Sequence, residues 1–198
     1  MRVLPNLSRG LSAVAIAATM TLLSVAQAAQ PKGSSSKTNI SNFGCINDNF
    51  YRGAQPKSKD FADLAAMGVK TIIDLQEDGE PGEQRTVEAA GMKFFRIGMS
   101  DSSWPSREKA DQFLRIVNEP ANQPVFVHCH GGRHRAGIMT AIYRMTHDGW
   151  TANQAYDEMK QYGFEKGFGH GSLKDYVYDY YAGIVRTDKK NVTVDVAK

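Results

Sequence analysis

Apolar and polar positions follow two rhythms along this chain. Residues 69–75 (VKTIIDL), 93–99 (KFFRIGM) and 124–128 (PVFVH) are short runs rich in β-branched and aromatic side chains, which predicts buried strands. Elsewhere the apolar residues recur at helical spacing. Ser58 is a candidate cap ahead of Phe61, Leu64 and Ala65, with Gly68 as the stop. Ser106 is another, ahead of Ala110, Phe113, Leu114 and Val117. Ile138, Ala141, Ile142 and Met145 trace one face of a third helix, which Gly149 closes, and Thr151 with Gln154 forms a capping box ahead of Ala155, Met159 and Tyr162. Strand–helix alternation of this kind predicts an α/β fold, a central mostly parallel sheet flanked by helices.

The two ends depart from these rhythms. Arg2 and Arg9 give a basic start, an apolar stretch of about fifteen residues ends near Val25, and Ala26-Gln27-Ala28 supplies a small-x-small cut. Residues 1–28 are therefore expected to be a signal peptide, too short in its apolar run for the roughly 20 residues of a spanning helix. The expected location is exported, either periplasmic or secreted, with no membrane span after signal removal. Residues 29–42 (AQPKGSSSKTNISN) offer little to bury and predict a flexible linker, followed by a domain over 43–185 and a loose polar tail over 186–198.

Composition narrows the function classes. With 41% hydrophobic and 23% charged residues the chain is globular. Its net charge of +3 falls to about +1 once Arg2 and Arg9 are removed, which gives no basis for nucleic-acid binding. Two cysteines without a C-x-x-C pair exclude a disulfide scaffold and a structural zinc site. No metal or cofactor is expected.

One segment concentrates chemistry. In PVFVHCHGGRHRAG, residues 124–137, a strand ends at His128, a glycine-containing loop follows, and a helix begins near Ala136; three of the chain's five histidines lie within residues 128–134. A tight strand-to-helix loop turns backbone N–H groups inward as an anion nest. Gly131 and Gly132 allow positive φ and close backbone approach, and Arg135 can fork two donors onto a phosphate. The same positive field favours thiolate over thiol at Cys129. A phosphate held over a thiolate is the geometry for in-line attack on phosphorus. A buried cysteine beside a basic loop would not account for the clustering of His130, Arg133 and His134 with both glycines.

His128-Cys129-x5-Arg135 resembles the signature of cysteine-dependent protein tyrosine and dual-specificity phosphatases. Residues 51–56 (YRGAQP), the IIDL run ending at Leu75 and the FFRIGM strand followed by Asp101 are similar to compact dual-specificity-like phosphatases of bacteria and fungi, some of which are exported to the periplasm. The resemblance spans roughly residues 43–165. It implies that Cys129 is the nucleophile forming a phosphocysteine, that Arg135 binds the phosphoryl oxygens, and that backbone amides of 130–135 complete the cradle. It implies a supporting role for His128 in setting the loop. It also implies an Asp acid/base on a loop about thirty residues before the cysteine. Asp101 sits 28 before Cys129, directly after a predicted strand. Asp74, within IIDL, is the rival and reads as structural.

The chain departs from the family at Ala136, where such phosphatases carry Ser or Thr. Loss of that hydroxyl implies slower release of the sulfur and a longer-lived phosphoenzyme. The expected partner is a phosphorylated protein or an acidic phosphorylated small molecule. Gly132-Arg133-His134-Arg135 also resembles the Gly-Lys-His-Arg of fungal and plant relatives acting on inositol pyrophosphates, so an inositol polyphosphate is the second reading. A non-catalytic phosphate-binding module and a sulfurtransferase are rivals of another class. Cys45 reads either as a buried thiol or as a disulfide partner of Cys129. Residues 176–181 (YVYDYY) read as the packed face of a last helix, and residues 164–171 (FEKGFGHG) as a loop from which Lys166 or His170 could reach substrate.

Overall fold

The structure, a computed structural model, describes residues 38–100, 103–165 and 171–195. The expected signal peptide, most of the expected linker, Asp101, Lys166 and His170 lie outside the described residues. Elements run in the order β1 (Gly44–Asn47), β2 (Phe50–Ala54), α1 (Asp60–Ala66), β3 (Thr71–Gln76), α2 (Glu83–Ala89), β4 (Lys93–Met99), α3 (Arg107–Asn118), β5 (Val125–Cys129), α4 (Arg135–His147), α5 (Ala152–Gln161) and α6 (Gly171–Asp195). The five strands form one sheet in the order β1-β2-β5-β3-β4. β2, β5, β3 and β4 pair in parallel, and β1 is an antiparallel edge.

Side chains alternate across this sheet and build two cores. Val125, Val127, Ile73, Leu75 and Phe50 join Ala110, Phe113, Ile142, Met159 and Val177 from the helices α3 to α6. Ile72 and Phe126 point the other way and pack with Phe61, Leu64 and Val87 from α1 and α2. Because both faces are covered, β3 and β5 are buried at every position, which explains why their apolar residues follow one another without a polar–apolar alternation. Two predicted helix starts are seen as expected: Ser106 accepts from the Lys109 N–H, and Thr151 and Gln154 form a reciprocal box. Ser58 does not cap α1. That helix starts one residue later, and the Asp60 carboxylate instead accepts from the Lys57 N–H at 2.8 Å.

Both expected ends of the domain move outward. Ile40 is buried in the α1/α2 core, and the Asn42 side chain bonds three backbone carbonyls. The segment read as linker is therefore packed from Ile40 onward, because one apolar residue and one amide suffice to anchor it. At the other end, α6 continues to Asp195 through most of the segment read as a loose tail. Its buried Leu173, Tyr176, Val177 and Tyr180 pack on the larger core, so the aromatic run is a packed helix face. Among the described residues, no helix is long and apolar enough to cross a membrane.

Candidate active site

β5 ends at Cys129 and α4 begins at Arg135, so residues 130–134 make the turn between them. Next to this turn lies a cleft of about 420 Å³ lined by Gln76, Glu77, Asp78, Met99, Ser100, His130 and Arg135. It opens at the carboxyl ends of β3, β4 and β5, where parallel sheets place ligand sites.

The use of the loop carbonyls explains its shape. The His130 carbonyl accepts from the Gln55 N–H at 3.2 Å. The Gly132 carbonyl accepts from Asn42 Nδ2 at 2.9 Å and from the Arg52 guanidinium. Those of Arg133 and His134 accept from the Gly137 and Ile138 N–H groups in the first turn of α4. A trans peptide is planar with N–H opposite C=O, so pinning the His130 and Gly132 carbonyls outward turns the Gly131 and Arg133 N–H groups into the hollow. Gly132 has φ 64°, and a Cβ there would fall 2.5 Å from the Ala54 nitrogen. Only glycine fits this position. The amino end of the 13-residue α4 adds its positive dipole to the same hollow.

The side chains divide their tasks. Cys129 is 3% exposed at the root of the loop, and Arg135 is held by its Nη1 donating to the Met99 carbonyl at 3.1 Å. His130 lines the cleft, and Arg133 is exposed on the loop. His134, expected to bind substrate, is engaged elsewhere. Its Nε2 lies 3.1 Å from the Phe164 carbonyl and its ring meets Phe164 edge-on, which ties the loop to the turn after α5. Ala136 is fully buried in the core. Cys45 and Cys129 are both free thiols. β2 lies between their strands, a separation of about 9–10 Å, beyond the roughly 7 Å Cα limit for a disulfide. Burial pushes the Cys45 thiol pKa upward, with Asp48 adding to it.

His128 points to the opposite face from Cys129. A polar row crosses the sheet there in register, Gly53–His128–Asp74–Arg96. Arg96 Nε donates to Asp74 at 2.9 Å, and the Gln76 N–H donates to the other Asp74 oxygen at 2.9 Å. Glu83, from the start of α2, puts Oε1 2.8 Å from His128 Nε2 and accepts from Gln55 at 3.0 Å. Asp74, Glu83 and His128 bring potential metal-binding atoms within 4.8 Å of one another, yet Arg96 already supplies a cation to Asp74. Asp74 is thus structural, as its place inside a strand suggests, and His128 lies behind the sheet beside Glu83 and Asp74.

Several residues of the site have no sequence signal beyond the YRGAQP stretch. Arg52 is completely buried, facing the Tyr162 ring with its guanidinium carbon 4.1 Å from the centroid. Its Nε and Nη1 have no hydrogen-bond partner among the described residues. Burial lowers its pKa below the usual guanidinium value, against the opposing pull of Tyr162, Cys129 and Glu158. Asn42, Gln55, Glu77, Asp78 and Glu83 were likewise silent, because nothing in their local spacing tells which distant element they meet.

A family model described as a DSP-PTPase phosphatase fused to NAD+ kinase matches residues 23–173. Inositol diphosphatase SIW14 of Saccharomyces cerevisiae is 29% identical over 131 residues, 63% of this chain and 46% of that protein. Putative tyrosine-protein phosphatase OCA1 of Mycosarcoma maydis is 30% identical over 126 residues, 61% of this chain and 79% of that protein. The chain thus spans about half the length of the yeast relative. The solved core catalytic domain of the S. cerevisiae PP-IP phosphatase SIW14 in complex with citrate aligns at TM-score 0.65 and 27% identity, covering 77% of this chain and 93% of that one. P. aeruginosa TpbA shares the fold at TM-score 0.61 and 22% identity, over 73% of this chain and 91% of that one.

Proposed function

The chain belongs to the DSP-PTPase phosphatase family, and from that premise we propose that it hydrolyses phosphomonoesters of the phosphotyrosine and dual-specificity type through a phosphocysteine. The observation carrying this reading is the loop itself. Its carbonyls are bound on the outside, its amides turn inward at a helix amino end, and Cys129 and Arg135 stand at its two ends.

In the first step the Cys129 sulfur attacks phosphorus in line, the P–O bond to the leaving group breaks, and a carboxylic acid gives the departing oxygen its proton. Charge spreading over the three equatorial oxygens is met by Arg135 and the loop N–H groups, donors fixed before the reaction begins. In the second step water attacks the phosphocysteine, the carboxylate takes the water's proton, and phosphate leaves with the thiolate restored. Asp101 is proposed as that carboxyl group on its place after β4. Glu77 and Asp78 line the cleft and are the carboxylates to compare with it.

A phosphorylated protein is the favoured partner. Glu77 and Asp78 put negative charge on the cleft wall, which suits a single phosphate group better than a crowded polyphosphate. The inositol pyrophosphate reading rests on the Gly-Arg-His-Arg stretch and on the yeast relative's name. Assay of the reduced protein against an aryl phosphate and an inositol pyrophosphate, with EDTA present, tests both. Turnover should vanish in Cys129→Ser and fall by about 10²–10⁴ in Asp101→Ala; undiminished turnover in the serine variant overturns the proposal. We also propose export, supported by the pattern of residues 1–28. Amino-terminal sequencing of protein recovered outside the cytoplasm should begin at residue 29, and an intact Met1 in that fraction would refute cleavage.

A further inference from the structure

We propose that Arg52 is a positioning residue that faces the Cys129 sulfur from within the core, serving as its counter-charge while holding the Gly132 carbonyl away from the phosphate. This rests on the reading of Cys129 as the nucleophile, and goes beyond the signature loop.

Sheet geometry places the two groups together. Phe50 belongs to the larger core, so Arg52, two residues further along β2, points to the same face. On β5, Val125, Val127 and Cys129 point to that face as well. Arg52 pairs in register with Val127, and Ala54 with Cys129, so the sulfur lies one diagonal step from the guanidinium. The Gly132 carbonyl that Arg52 binds is three residues past the sulfur.

Charge balance supplies the second argument. A fully buried guanidinium is costly without an anion, and Arg52 has no carboxylate in an ion pair among the described residues. Glu158 on α5 is the nearby acid, but its carboxylate is taken by Arg144 of α4 at 2.7 and 3.2 Å. Tyr162, after α5, offers its ring, and burial pushes its own pKa upward even against the pull of Arg52. Arg135, His130 and Arg133 add positive or neutral groups around the loop. The acids there, Glu77 and Asp78, line the cleft with His130 and Arg135 rather than the buried face that Arg52 shares with Tyr162. Among the described residues, the Cys129 sulfur is the group left on this face to answer Arg52. Ala136 sharpens the need, because this chain has no hydroxyl there to donate to the sulfur.

Alkylation of Cys129 by iodoacetamide, followed across about pH 4.5–9 in a Cys45→Ser background, reads the sulfur without requiring turnover. In Arg52→Gln and Arg52→Met the alkylation profile should move about one to two pH units higher. Aryl-phosphate kcat/KM should drop about tenfold near pH 5.5 and recover toward pH 8. A purely structural role would lower the rate equally at every pH, and profiles superimposed on the parent would overturn the proposal. The methionine variant fills the same space without a buried charge, a change that folds tolerate. A measurement needing no Arg52 variant stands beside these: the Arg52 guanidinium 15N resonance should shift with pH in step with alkylation in the parent and not in Cys129→Ser. Absence of that step overturns the pairing. The two readings fail separately. A parent that alkylates as described but turns over no phosphate refutes the phosphatase reading alone, whereas normal turnover with unmoved profiles refutes Arg52 alone.

Discussion

His128 and Cys129 are neighbours in sequence and open onto opposite faces of the sheet, and the two faces treat buried polarity differently. Behind His128, opposite charges of the protein stand together: Arg96 meets Asp74 at 2.9 Å, and Glu83 lies 2.8 Å from His128 and accepts from Gln55. The His128 ring nitrogens and Glu83 Oε2 have no aligned hydrogen-bond partner among the described residues. Around Cys129, Arg52, the loop amides and Arg135 are positive or proton-donating. Neither of the two arginines has an ion-pair partner among the described residues, although Glu77 and Asp78 line the same cleft as Arg135. A folded chain normally satisfies its buried polar groups. Both faces hold unpartnered buried atoms, but on the Cys129 face they belong to a guanidinium, the kind of donor an anion meets, and the two situations lie a single residue apart.

Substitutions on the two faces should therefore differ in kind. The largest further effect is expected behind the sheet. Asp74→Asn removes the charge that Arg96 and Gln76 share, and should cost about 2–3 kcal/mol in urea unfolding. That is less than the roughly 3–5 kcal/mol for breaking a fully enclosed pair, because Arg96 is 38% exposed. If Asp74→Asn instead abolished turnover while leaving stability intact, the division between a structural and a chemical face would fail. A smaller effect is expected at the loop. Ala136→Ser should speed phosphoenzyme breakdown about threefold in burst kinetics, with the thermal midpoint nearly unchanged, in keeping with one added hydrogen bond of about 0.5–1.5 kcal/mol. An unchanged decay of the burst would mean that a hydroxyl at this position does not govern sulfur release.

Much of this arrangement was legible in the sequence. β3 and β5 announced themselves because both of their faces are covered, whereas β4, expected to be buried, is buried only at Ile97 and Met99 because it lies at the sheet edge. The Ser106 and Thr151 caps are local hydrogen bonds with local signals. The loop from Cys129 to Arg135 was readable because its glycines and cations serve one short turn. β2 was missed because Arg52 and Gly53 look like loop residues until β5 pairs beside them. The seven residues of α2 carry a single deeply buried valine, Val87, too little for a helical rhythm. Glu83 and Asn42 act over sequence separations that no periodicity reports. The contact of His134 with the Phe164 carbonyl, thirty residues away, is of the same kind.

Asn42 joins three parts of the molecule through one amide: the carbonyls of Gly131 and Gly132 in the loop and that of Tyr162 beyond α5. It does so from φ 57°, a left-handed backbone that asparagine tolerates better than most residues. The strand order alone would let the smallest working unit begin at β1. The wiring of the loop sets that limit earlier, so a trimmed version that discards Ile40 and Asn42 would keep every strand yet release the clasp that shapes its reactive turn.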